Sequence, residues 1–142
     1  MNFLLDTNVV SEWAKPQPNS SVVQWLAEQD EDRLFLSVIT LAELRHGVER
    51  LAAGARRERL ASWINQELMD RFEDRILSVN KAVANAWGKL MAMSEARGTR
   101  MHVMDGFLAA SALEWGLALV TRNVKDFERV GCEVVSPWDD PR

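Results

Sequence analysis

Three acidic residues, Asp6, Glu43 and Asp105, are spaced so that they could do chemistry together. Asp6 closes a short apolar run from Asn2 to Leu5 and is followed by Thr7 and Asn8. Glu43 comes one turn after a second run, Leu34 to Ile39, and Asp105 ends His102-Val103-Met104-Asp105 ahead of Phe107-Leu108-Ala109-Ala110-Ser111-Ala112-Leu113. Each position reads as the carboxyl end of a strand or the amino end of a helix, the edge at which open α/β sheets hold their ligands. Carboxylates crowded into one crevice repel each other unless a cation joins them. Hard divalent cations with oxygen ligands, Mg²⁺ above all, meet that need. Metal-dependent hydrolysis is the chemistry to expect.

Each carboxylate also has a purely structural reading. Thr40-Leu41-Ala42-Glu43 has the form of a capping box, with the glutamate reaching back to the Thr40 backbone N–H. Asp105 suits the first turn of a helix, where the dipole favours negative charge. Asp6 suits the cap of a helix starting near Asn8, although a carboxylate closing a buried strand is costly without a partner. Acidic residues occupy only 21 of 142 positions, so three of them at strand and helix ends favour one site over three separate caps. A fourth element, Leu119 to Phe127, ends a strand at Thr121 and places Asn123 and Asp126 within the next turn. Either could add an oxygen ligand, and either could instead cap a helix or occupy its first turn.

Other catalytic arrangements are absent. His46 and His102 have no metal-pair spacing, and Ser111 and Cys132 have no Ser-His or Cys-His pattern around them. Cys132 is the sole cysteine, which excludes an intrachain disulfide and a cysteine-based zinc site. Trp25, Trp63, Trp87 and Trp115 fall in helical stretches and read as core or oligomer-interface packing rather than a base-stacking platform.

The elements that must position these residues alternate. The pattern predicts a strand at 2–6, helices at about 8–15 and from Ser20 to about Gln29, and a strand at 33–38. Helices at 41–53 and about 56–72 follow, separated by Gly54, then a short strand at 75–79 and a helix at about 81–97 ended by Gly98. A helix over 105–115 with Gly116 as its stop, strands at 117–121 and 132–135, and a helical turn around 124–129 complete the chain. Alternating strands and helices imply parallel pairing through right-handed crossovers. The expectation is a single domain over 1–142, an α/β/α sandwich around a mainly parallel sheet of about five short strands.

Hydrophobic content of 47% and charged content of 27% are ordinary for a globular chain. Asp6 interrupts the first apolar stretch with no basic segment before it, which argues against a signal peptide. No apolar run reaches membrane-spanning length. A cytoplasmic protein is expected. The net charge of −4 argues against a protein that coats nucleic acid. Basic residues nevertheless cluster: Arg45, His46, Arg50, Arg56, Arg57 and Arg59 in one region, Arg97, Arg100 and His102 in a second, Arg122, Lys125 and Arg129 in a third. The first two flank Glu43 and Asp105, as a nuclease requires if arginines are to position phosphates beside a metal.

Leu5-Asp6-Thr7-Asn8-Val9-Val10-Ser11-Glu12, Thr40-Leu41-Ala42-Glu43-Leu44-Arg45-His46-Gly47, Met104-Asp105-Gly106-Phe107-Leu108-Ala109-Ala110 and Thr121-Arg122-Asn123-Val124-Lys125-Asp126-Phe127 together resemble the PIN domain. More narrowly they are similar to the VapC/FitB-type toxins of bacterial toxin–antitoxin pairs. The resemblance spans essentially the whole chain. It implies a Mg²⁺- or Mn²⁺-dependent ribonuclease, with metal-binding carboxylates falling on Asp6, Glu43 and Asp105. A fourth family position, often Asp, falls on Asn123 with Asp126 nearby. In-line attack of water on the phosphate with no covalent enzyme intermediate is then the expected reaction. Thr7 and Asn123 would orient waters or carboxylates, Asn8 and Thr121 would stand behind the ligands or meet substrate, and Ser11 and Arg122 would be weaker candidates for touching substrate. The resemblance also implies a small cognate antitoxin that binds DNA, a homodimer, and a higher hetero-oligomer with the antitoxin. A receiver domain is a poor rival, since Arg75-Ile76-Leu77-Ser78-Val79-Asn80 offers no acceptor aspartate. The standing alternative is a catalytically weak PIN-like protein that acts through its partner.

Overall fold

The computed structural model describes residues 1–139. Five short strands form one sheet: β1 (Phe3–Leu5), β2 (Leu34–Ser37), β3 (Ile76–Leu77), β4 (Ala118–Val120) and β5 (Val134–Val135), in the order β3-β2-β1-β4-β5. Every pairing is parallel, so the sheet is wholly rather than mainly parallel. The helices are α1 (Thr7–Val10, continued by a 3-10 turn over Ser11–Ala14), α2 (Ser20–Glu28), α3 (Val38–Glu49), α4 (Ala55–Ser62), α5 (Met69–Phe72), α6 (Lys81–Ala96), α7 (Val103–Trp115) and α8 (Val124–Phe127).

The strands alternate their faces, as a pleated chain must. Leu5, Leu34, Leu36 and Val120 point into one apolar layer with Trp25, Leu44, Leu68 and Phe72, while Leu4 and Leu119 point into a second with Leu108, Ala109, Ala112 and Phe127. Two cores on two faces make the expected sandwich. The small residues of α7 let that helix lie against the sheet, and Ala109, Ala110, Ser111 and Ala112 are all buried.

The third helix begins earlier than its pattern suggests. Ser37 is its N-cap, accepting from the Ile39 N–H at 3.0 Å, so α3 starts at Val38 rather than 41. The capping box at Thr40–Glu43 is therefore not formed. Thr40 lies inside the first turn, fully buried, and its Oγ1 donates to the Leu5 carbonyl at 3.5 Å. A tertiary acceptor on β1 outcompetes the local one. The stretch 56–72 is helical, as expected, but contains a π-helical segment, Trp63–Leu68, between α4 and α5. The strands expected at 75–79 and 132–135 shorten to Ile76–Leu77 and Val134–Val135 at the two sheet edges.

The strand order turns at β1. After β1, β2 and β3 the chain crosses back, placing β4 on the other side of β1. Connections leave the carboxyl ends of β1 and its neighbours in opposite directions, opening a crevice there, the usual ligand position in such sheets.

Candidate active site

Asp6 follows β1 directly and is 6% exposed. Its carboxylate is held from three sides: Oδ1 accepts from the Thr7 N–H at 2.7 Å, and Oδ2 accepts from Thr121 Oγ1 at 2.8 Å and Asn8 Nδ2 at 3.3 Å. The cap reading of Asp6 therefore holds. Thr121, fully buried at the end of β4, also accepts from the Asn123 N–H at 3.0 Å. Asn8 joins the same network, its Oδ1 accepting from the Arg122 N–H at 3.2 Å. Burial nevertheless leaves the Asp6 carboxyl above its ordinary range, with the Glu43 charge adding to that effect against the three hydrogen bonds.

Glu43 stands on α3, and its Oε1 accepts from Thr7 Oγ1 at 2.8 Å. Thr7 thus ties two of the carboxylates together, by its amide to Asp6 and its hydroxyl to Glu43. Asp105 lies in the first turn of α7, whose N-cap is His102, with Nδ1 accepting from the Met104 N–H at 3.3 Å. Burial, then the charges of Asp6 and Asp126, and less strongly Glu43, push the Asp105 carboxyl up to about 6, against a downward pull from His102. These mutual effects bring Asp6, Glu43, Asp105 and Asp126 into one electrostatic neighbourhood.

The remaining expected residues divide. Asp126 lines the same cavity as Asp105, a hollow of about 720 Å³. Asn123 precedes α8 but makes no side-chain cap bond, and its side chain is exposed. Ser11 and Thr7 line a second cavity of about 490 Å³, on the Glu43 side. Arg122 is turned elsewhere, its guanidinium lying 5.4 Å from the Trp138 ring centroid. Glu12, 3% exposed, is structural: it pairs with Lys15 and accepts from the Asn19 N–H at 2.8 Å, fixing the turn into α2.

One residue of the site's scaffold escapes a reading by residue type. A Cβ on Gly106 would lie 2.7 Å from Met91 Sδ and 2.9 Å from Trp87 Nε1. Trp87 is itself tied down, donating to the Val103 carbonyl at 3.1 Å and stacking on Phe107 with centroids 4.9 Å apart. The glycine next to Asp105 is what lets α7 approach α6 this closely.

The donor set suits a hard cation. All four acidic groups offer oxygen, and two have raised carboxyl affinities for protons because burial and like charge are uncompensated. Among the described residues no trio of Asp, Glu, His or Cys side chains closes into a ready cage. Mg²⁺ retains several of its own waters in most protein sites, so an incomplete cage is compatible with it.

Residues 3–132 match the PIN domain family. The chain is 34% identical over 137 residues to a protein of Sinorhizobium fredii named VapC ribonuclease Y4jK, covering 96% of this chain and 98% of the relative. It is 36% identical over 138 residues to Toxin FitB of Neisseria gonorrhoeae, covering 97% and 99% respectively. The fold superimposes with a TM-score of 0.90, at 34% identity, on a chain in the structure of FitAB bound to an IR36 DNA fragment, covering 96% of this chain and 95% of that one. With its motif carboxylates gathered at the sheet edge and its whole length aligned to such relatives, this chain belongs to the PIN-domain family, among the VapC/FitB-type toxins.

Proposed function

We propose that this chain is the ribonuclease toxin of a toxin–antitoxin pair, hydrolysing RNA phosphodiester bonds with Mg²⁺, or Mn²⁺ in its place. The observation that carries this is the acidic cluster at the turn of the sheet, where Thr7 joins Asp6 to Glu43 by hydrogen bonds and burial with the charges of Asp6 and Asp126 raises the Asp105 carboxyl to about 6. A relative of 34% identity is named a ribonuclease. Asp6, Glu43 and Asp105 would hold the ion, with Asp126 the better placed of the two later candidates and Asn123 the weaker. A bound divalent cation supplies charge neutralisation at the phosphate and a more acidic water as nucleophile. Thr7, Asn8 and Thr121 keep the Asp6 and Glu43 carboxylates oriented, so little rearrangement is needed on binding.

The same reading covers partners. A chain of similar fold was solved in FitAB bound to DNA, which supports a small DNA-binding antitoxin for this protein and a larger hetero-oligomer. A basic side chain inserted among Asp6, Glu43 and Asp105 would compete with the ion. Homodimerisation is supported by Val103, 50% exposed, and Trp115, 48% exposed, at the two ends of α7. Two-fold closure is the commonest way to cover such surface. Among the described residues no helix is long and apolar enough to cross a membrane.

The direct test is incubation of the purified protein with end-labelled RNA, with and without Mg²⁺, Mn²⁺ or EDTA. Cleavage that requires the ion and disappears in Asp105→Asn is expected. RNA left intact under all metal conditions would favour a protein acting only through its partner. Light scattering at micromolar concentration should report twice the 16.1 kDa chain mass.

A further inference from the structure

Cations on and just after α6, and on and just after α8, lie far apart in sequence but share one hollow. The cavity of about 720 Å³ that contains Asp105 and Asp126 is also lined by Lys89, Arg97, Arg100, Lys125 and Arg129. All five are exposed, and no side chain among them forms a hydrogen bond or ion pair among the described residues. Elsewhere Lys15 pairs with Glu12, Arg45 and Arg57 with Glu49, and Arg71 with Glu31, while others such as Arg33, Arg50 and Lys81 stand singly among the described residues, outside both cavities. In a chain of net charge −4, five unpaired cations thus line one cavity with the acidic Asp105, Asp126 and Glu128. The groove also has an apolar lining from Leu90, Met93 and Leu113, of which Met93 is 50% and Leu113 41% exposed.

A positively charged groove suits the backbone of a single-stranded polynucleotide, whose unpaired bases can lie against the apolar Leu90, Met93 and Leu113. Duplex RNA suits it less, because its bases are stacked inside. The geometry points to the α6–α7–α8 groove as the track that carries single-stranded RNA to the scissile position, with Arg97, Arg100 and Arg129 holding phosphates. This rests on the ribonuclease reading and deepens it, assigning strand binding to residues outside the carboxylate cluster. The Glu43-side cavity carries Lys15, Arg56 and Arg59 beside Leu44, Val48, Leu60, Trp63 and Ile64; it has fewer cations, and Lys15 is already paired with Glu12.

The experiment compares Arg97→Ala/Arg100→Ala/Arg129→Ala with a control of equal charge change outside both cavities, Arg33→Ala/Arg50→Ala/Lys81→Ala. Binding of a fluorescein-labelled mixed-sequence single-stranded oligoribonucleotide is followed by anisotropy in Mg²⁺, in an Asp6→Asn background, across a salt series. Each phosphate contact contributes about 0.7 to the slope of log K against log salt for single strands, so the groove variant should flatten that slope by roughly 2. The control should match its parent. In the Asp6-intact protein, KM for RNA should rise about tenfold for the groove variant only. The single variants Arg97→Ala and Arg129→Ala, each flattening the slope by about 0.7, serve if the triple variant folds poorly. Equal slopes for groove and control variants overturn the track, as does a groove variant that binds RNA normally and loses only an acidic protein partner. A parent protein that binds RNA through the groove but never cleaves it would instead overturn the ribonuclease reading and leave the track standing.

Discussion

Thr121 donates its hydroxyl hydrogen to Asp6 at 2.8 Å, across neighbouring parallel strands and 115 residues of sequence. β1 and β4 are brought side by side by the crossing that reverses the strand order. The same step sets the first carboxylate beside its main hydrogen-bond donor. On the ribonuclease reading Thr121 would be a positioning residue, since its hydroxyl orients Asp6.

Thr121→Val should therefore lower RNA cleavage about 10- to 100-fold and weaken metal affinity, as the loss of outer-shell partners usually does. Stability should fall by about 1–3 kcal/mol, because Oδ2 and the Asn123 N–H both lose a partner. Thr121→Ser should recover most activity. Metal titrations and urea denaturation of the three proteins check both parts, and an undiminished valine variant would remove Thr121 from the site.

Glu43→Gln separates holding the fold from holding the ion. The amide oxygen can still accept from Thr7 Oγ1 at the 2.8 Å position, so the midpoint of thermal unfolding should stay within a few degrees. Cleavage should be lost, since a metal-binding charge has gone. Asp6→Asn should likewise be inactive. A Glu43→Gln protein as active as its parent would show that the glutamate serves only to anchor Thr7.

The acidic cluster makes the metal-free protein pH-sensitive in a definite direction. Asp105 has a folded-state pKa raised from 3.8 to about 6, so the folded state holds its proton more tightly than the unfolded chain. The contribution to stability is fully present below about 3.8 and is lost as pH rises through about 6. In EDTA, melting temperature should rise as pH is lowered from 7.5 to 5, relative to Asp105→Asn. At pH 7.5 that variant should be more stable than its parent by about 1–2 kcal/mol. Affinity for Mg²⁺ should fall over the same interval below pH 6, because protons compete for the carboxylate. Scanning calorimetry of both proteins in EDTA at several pH values reads the effect. Parallel pH profiles would mean that Asp105 is not perturbed by its neighbours.

Gly106→Ala tests the seating of α7. The new methyl would meet Trp87 at 2.9 Å and Met91 at 2.7 Å. Met91 can swing away, but the Trp87 ring is held by Val103 and Phe107. A loss of about 1–3 kcal/mol is expected from overpacking, together with reduced cleavage as Asp105 shifts with its helix. Chemical denaturation and cleavage rates provide the check. A fully stable and active alanine variant would mean that α6 yields freely.

Much of this was legible in residue types and their order. Apolar runs too short for helices, alternating with helical periodicity, predicted the parallel sandwich, and carboxylates at the ends of those runs predicted an acidic crevice. These features are local, so they survive in one dimension. The start of α3 was not legible: Thr40 and Glu43 have the spacing of a capping box, but Ser37 caps the helix and the Leu5 carbonyl claims the Thr40 hydroxyl. Nor could spacing show that Arg97 and Arg129, on either side of α7, line one groove with Asp105. The tightness required at Gly106 was equally hidden. Each depends on which distant segments pack together, and a hydrogen bond or a steric limit between such segments is decided by the fold, after local preference has been overruled by burial.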